Sequence, residues 1–99
     1  MISDVQQSSS WINVYDDRGK VTATMSASGK EVCGIAADFF VCNEGSWIKT
    51  YDQNGKQIAV MSASGKIVRG AEGTSFTTKE GSWIKTYDKN CKLLNTSSA

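Results

Sequence analysis

The 99-residue chain contains no histidine and no proline. Without histidine it lacks the side chain that most often serves as a general base near neutral pH, and a common metal ligand. Without proline, nothing in it interrupts a β-sheet ladder by ring chemistry. Cysteine is scarce and odd in number: Cys33, Cys42 and Cys91. Three thiols cannot all pair within one chain, and none forms the C-x-x-C unit of a zinc or thioredoxin-like site. Cys33 and Cys42 are spaced to face each other across a hairpin turning near Ala37–Asp38. With no export signal, three reduced thiols packed as small apolar groups are expected instead.

An excess of charge is also missing. The net charge is +1, which sets up no overall field for nucleic acid or an anionic membrane. No apolar run approaches the ~20 residues of a membrane helix. The start, MISDVQQSSS, has neither the basic nor the apolar region of a signal peptide. These features set the expectation of a cytoplasmic protein.

What the chain does have is a repeat. SWINVYDDRGK at Ser10–Lys20 returns as SWIKTYDQNGK at Ser46–Lys56 and as SWIKTYDKNCK at Ser82–Lys92, without insertion or deletion. The frame is Ser10–Gly45, Ser46–Gly81 and a half copy, Ser82–Ala99, preceded by a polar tail or edge strand over 1–9. The repeats at 10–45, 46–81 and 82–99 are taken as a single domain. A fixed period of this kind marks one supersecondary unit used repeatedly.

The unit reads as four short strands. SWIKTY is rich in aromatic and β-branched residues and too short for a helix. Asp52-Gln53-Asn54-Gly55 supplies an Asp at the head and a glycine at the left-handed position, as a type I turn with a G1 bulge requires. QIAVMS, KIVRG and TSFTT follow, separated by Ser64-Gly65 and Glu72-Gly73. The fold class is therefore all-β: tandem 36-residue four-stranded antiparallel repeats, two and a half copies, in a propeller-like or solenoid stack. The alternative is a single small barrel or sandwich of about ten strands. Expected core ladders are Ile12/Ile48/Ile84, Met25/Met61, Val32/Val68 and Phe40/Phe76, with Trp capping one side.

The third copy departs from the pattern. It stops halfway through the unit, which in this frame leaves an open sheet edge. It also has Cys91 where Gly19 and Gly55 stand, so a different turn, or Asn90 in the left-handed position, is expected there. The open edge predicts a homo-oligomer. Residues 1–45 carry three basic and six acidic side chains, and residues 46–99 carry eight and four, an asymmetry that suits head-to-tail association.

The candidate ligand-binding residues are Trp11, Trp47, Trp83, Tyr15, Tyr51, Tyr87, Lys49 and Lys85. Strand alternation puts Trp47, Lys49 and Tyr51 on one face. Aromatic faces stack on sugars or bases, and the lysines can hydrogen-bond hydroxyls. The competing expectation is that these aromatics pack between repeats and hold the ladder together. Asp16, Asp52 and Asp88 have a plain role in Asx-turns, and DQNG lacks the alternating carboxylates of a calcium loop. The Gly-Lys turns do not form a phosphate loop. No nucleophile with a base beside it can be picked out.

The string W…Y-D-x-x-G-K resembles the short β-repeats of WG-repeat proteins and propeller blades, with Ile rather than Gly after the Trp. The likeness covers the hairpin alone, and no family membership follows from it.

The expectation is a non-catalytic, self-assembling binding module with no cofactor or metal, taking a protein or carbohydrate ligand. A lectin-like module using Trp, Tyr and Asp is the second reading. A small enzyme with carboxylate or cysteine chemistry in an inter-subunit cleft is the third. Nucleic acid is disfavoured because repeat one replaces the lysine with Asn13 and carries net negative charge.

Overall fold

The computed structural model describes residues 1–98; Ala99, where the half copy was drawn to end, lies outside the described residues. Eleven antiparallel strands form three open sheets, with no helix among the described residues and none long and apolar enough to cross a membrane. Sheet one is β1 (Ile2–Gln7), β2 (Trp11–Asp16) and β3 (Val21–Ser26). Sheet two is β4 (Glu31–Ile35), β5 (Phe39–Glu44), β6 (Trp47–Asp52) and β7 (Gln57–Ser62). Sheet three is β8 (Ile67–Glu72), β9 (Ser75–Glu80), β10 (Trp83–Asp88) and β11 (Leu93–Ser98). Each sheet is a meander of neighbouring strands, and none closes into a barrel.

The all-β, repeat-like pairing is as expected, but the sheets cut the repeat two strands out of phase with the sequence frame. β10 and β11 are not half of an unfinished unit. They pair with β9 and β8 and complete a four-stranded sheet. The segment 1–9 contributes β1, which pairs with β2 as β5 pairs with β6: Val5 lies opposite Val14 as Val41 lies opposite Thr50. The links Ala27–Lys30 and Ala63–Lys66, with the same sequence Ala-Ser-Gly-Lys, carry the chain from one sheet to the next instead of closing hairpins.

The sheets stack with sheet two in the middle. Ile2, Val5, Ile12 and Val14 of sheet one pack on Phe40, Cys42 and Tyr51 of sheet two. Phe39, Val41 and Ile48, on the opposite face of sheet two, pack on Phe76 and Tyr87 of sheet three. Phe40 stacks on Tyr51 at 5.4 Å between ring centroids, and Phe76 stacks on Tyr87 at 5.5 Å. Full burial of each such side chain contributes about 1.5–3 kcal/mol. The expected ladders at Ile12/Ile48 and Phe40/Phe76 are in the core, but Ile84 is partly exposed. Phe39 and Val41, which do not repeat, are fully buried. No tryptophan belongs to either core cluster.

The sheets come closest at β4 and β8, where a Cβ on Gly34 would meet the Ala71 backbone at 3.1 Å. Glycine is favoured there by the tight contact, not by φ. Sheet one has no strand at this position. The Gln7 side chain stands in for part of one: its Oε1 accepts from Val32 N at 2.9 Å and its Nε2 donates to Lys30 O at 2.7 Å, closing the edge of β4.

The three Asp-headed hairpins share one geometry. Asp16, Asp52 and Asp88 each accept two backbone N–H bonds through Oδ1, from the residues two and four further on. Each strand pair has a bulge at the neighbouring Tyr. Cys91 keeps this turn by adopting the left-handed conformation itself, with φ 61°, against 76° for Gly19 and Gly55. The expected change of turn type does not occur. The αL conformation costs a non-glycine residue about 1–2 kcal/mol, and burial of Cys91 against the second core cluster offsets part of that.

Candidate functional site

β2, β6 and β10 open with the tryptophans. Trp11, Trp47 and Trp83 are 55%, 52% and 53% exposed. None of these three large aromatics belongs to either core cluster. Each follows a Ser, and Gly45 and Gly81, at positive φ, make the tight β5–β6 and β9–β10 turns ahead of Trp47 and Trp83. Sheet one relates to sheet two as sheet two relates to sheet three, so all three rings stand at the same end of the stack.

The tyrosines part company with them. Tyr51 and Tyr87 are buried core residues, and Tyr15 is half-buried on the outer face of sheet one. Of the eight candidates, the structure leaves the three Trp as exposed platforms, with Lys49 and Lys85 beside two of them.

Both lysines are held by a glutamate that the candidate set lacks. Glu44 Oε1 lies 3.3 Å from Lys49 Nζ and 4.0 Å from Lys30 Nζ, and Tyr51 donates its hydroxyl proton to Glu44. Glu80 repeats the arrangement, 3.3 Å from Lys85 and 3.7 Å from Lys66, and accepts from Tyr87 at 2.8 Å and from Thr78 at 2.7 Å. The signal was present in the sequence. Glu44/Glu80 and Lys30/Lys66 repeat with the same 36-residue spacing as the tryptophans. In sheet one Ser8 and Asn13 replace the Glu and Lys, and Asn13 instead accepts from Thr24 at 2.9 Å.

These pairs set the local proton affinities. Burial, with the bond to Glu44, pushes the Tyr51 phenol well up; burial and Glu80 push Tyr87 up to about 12. Burial acts to raise the Glu80 carboxyl, but bonds from Thr78, Tyr87 and Lys85 and the charge of Lys66 outweigh it and hold Glu80 below its ordinary value.

The cysteines lack the electrostatics of a nucleophile. Burial pushes Cys33 and Cys91 up to about 11 and Cys42 to about 12. Cys42 belongs to the cluster between sheets one and two, and Cys33 packs against the cluster between sheets two and three. Opposite faces forbid a bridge, and all three thiols are free.

The other end of the stack gathers the Asp-headed turns. A cavity of about 410 Å³ lies there between Asp38, Gln53, Ile58 and Lys89. The Lys89–Asp38 pair, at 3.0 Å, ties the β10–β11 turn to the β4–β5 turn. Both side chains are nearly half exposed, so the pair acts as a weak clasp.

No protein-family model and no curated protein matches the sequence. A solved structure from Bacteroides caccae, of a protein of unknown function, is similar over 98% of the chain, with a TM-score of 0.58 and 14% sequence identity. That likeness shows the fold alone. The chain spans 39% of the length of that protein.

Proposed function

We propose that the chain is a non-catalytic binding module whose ligand surface is the end of the stack carrying Trp11, Trp47 and Trp83. The observation that carries this reading is their near-equal exposure at one repeated position. Exposed aromatics without a packing role are a hallmark of recognition surfaces. The glutamate-held lysines beside Trp47 and Trp83 supply polar groups with fixed direction. The protonated thiols favour binding over covalent chemistry, and three unpaired cysteines suit the reducing cytoplasm. The test is intrinsic fluorescence against a panel of saccharides, peptides, oligonucleotides and lipid vesicles. A shift with one class, lost when all three Trp are replaced by Ala at unchanged melting temperature, supports the reading. Silence across the panel rejects it.

A second reading, self-association, is favoured by β11. This edge strand, Leu93–Ser98, is exposed throughout, carries no charge, and shows Leu93 and Leu94 at 48% and 53%. Natural edges are normally guarded by charge or proline. Light scattering should record a dimer at micromolar concentration that Leu94→Lys disperses; a wild-type monomer removes the idea.

A further inference from the structure

The two ends of the stack differ in chemistry. At one end the hairpins are headed by Asp16, Asp52 and Asp88. At the tryptophan end the turns and links consist of Ser, Gly and Ala, apart from Lys30 and Lys66, and Ser10, Ser28, Ser46, Ser64 and Ser82 are all exposed. This end combines exposed hydroxyls and small residues with three indole rings that are each more than half exposed. The lysines next to two of the rings are already paired with Glu44 and Glu80, so they offer directed N–H donors with most of their charge compensated.

The rings are also spaced by the fold. Each belongs to a different sheet, and packed sheets lie about 10 Å apart. That interval is close to the length of a disaccharide. In a β-1,4-linked glycan successive rings are flipped, so the same sugar face recurs once per disaccharide.

We infer that the tryptophan end takes an extended, uncharged β-1,4-linked polysaccharide, laid across the three sheets with every second sugar on a tryptophan. Aromatic stacking supplies the contact with each sugar face, and the serines and paired lysines hydrogen-bond the ring hydroxyls. This rests on the binding surface proposed above and names its ligand class.

The inference is tested by calorimetric titration with the hexasaccharides of glucose, xylose, mannose and N-acetylglucosamine, and with the disaccharide of each. At least one hexasaccharide should bind, more than about tenfold tighter than its disaccharide, because linked contacts reinforce one another. Trp47→Ala, which removes the middle platform, should weaken it about tenfold and more than Trp11→Ala or Trp83→Ala does. Raising the salt should leave the affinity unchanged, unlike binding to an anionic polymer or membrane. Equal affinity for hexasaccharide and disaccharide overturns the ladder, and so does indifference to Trp47→Ala. If no saccharide binds while a peptide or vesicle does, and that binding is lost with the tryptophans, the ligand class is wrong and the binding surface stands.

Discussion

Phe39 and Val41 of sheet two occupy the same positions in the repeat as Ser75 and Thr77 of sheet three. The first pair is fully buried, and the second is partly in water. On the other side, Phe40 and Cys42 of sheet two correspond to Asp4 and Gln6 of sheet one, both exposed. Sheet two is thus buried on both faces, and each neighbour carries polar residues at the matching positions of its outer face. Strand propensity and turn chemistry are the same throughout. The difference lies in a few face positions, where polar residues let a stack of like units stop.

The largest effect should come from importing an end residue into the middle. Phe39→Ser removes a ring that meets Phe76 edge-on at 6.3 Å. It should cost at least about 4 kcal/mol, since it opens a cavity and buries a hydroxyl; chemical denaturation measures this. The reverse exchange, Ser75→Phe, should leave stability within about 0.5 kcal/mol and make the outer face of sheet three sticky, seen as a mass that grows with concentration. Equal destabilisation by both would mean that the faces do not differ.

The Glu80 cluster separates the sheets by pH. The folded-state pKa of Glu80 is depressed, so its contribution is present above the ordinary glutamate value and lost as pH falls through the folded value. Glu80→Gln should cost about 2 kcal/mol at neutral pH, because bonds to a charged group are lost, and should flatten the acid limb of a melting-temperature profile. The alkaline limb has the opposite sign. Tyr87, raised to about 12, stabilises below its ordinary value of 10, and that contribution disappears as pH climbs through about 12. The thiols, raised from 9.0 to about 11 or 12, add loss from the lower part of the same window.

A smaller effect distinguishes the two interfaces. Gln7 clamps β4 from sheet one, whereas its counterpart in sheet two, Asn43, is one methylene shorter and borders a cavity of about 170 Å³ that Lys66 and Val68 also line. Gln7→Asn should lose about 1 kcal/mol, and Asn43→Gln should gain up to about 1 kcal/mol by reaching Lys66 O and Val68 N. Thermal melts of the pair should move in opposite directions. Smallest of all, Cys91→Gly should shift stability by less than about 1 kcal/mol, since relief of the left-handed strain is offset by lost burial.

Strands, turns and the core pairs Ile12/Ile48 and Phe40/Phe76 were legible in the sequence because each is a local pattern. The phase of the sheets was not. A 36-residue period is the same wherever it is cut, and Ser28-Gly29 reads like any hairpin turn although it links two sheets. The clue lies in the segment 1–9, whose edge-strand alternative is the one that forms: Val5, Val41 and Thr77 share one spacing, which places β1 beside β2 as β5 lies beside β6. The tyrosines were misplaced for a related reason. Alternation assigns Trp47 and Tyr51 to one face, but only the inner end of that face is covered by sheet one, so one ring is wet and the other dry. The expectation of an unfinished third copy arose from the phase alone.

The link Ala-Ser-Gly-Lys leaves sheets one and two by the same sequence. Sheet two is therefore a cassette with matching joints at both ends and two buried faces. Duplicating residues 30–65 in frame should insert one more such sheet, leave both polar ends as they are, and lengthen the particle by about 10 Å, the spacing of one sheet. X-ray scattering would record the added length. A gene carrying this segment could grow by whole sheets without inventing a new boundary.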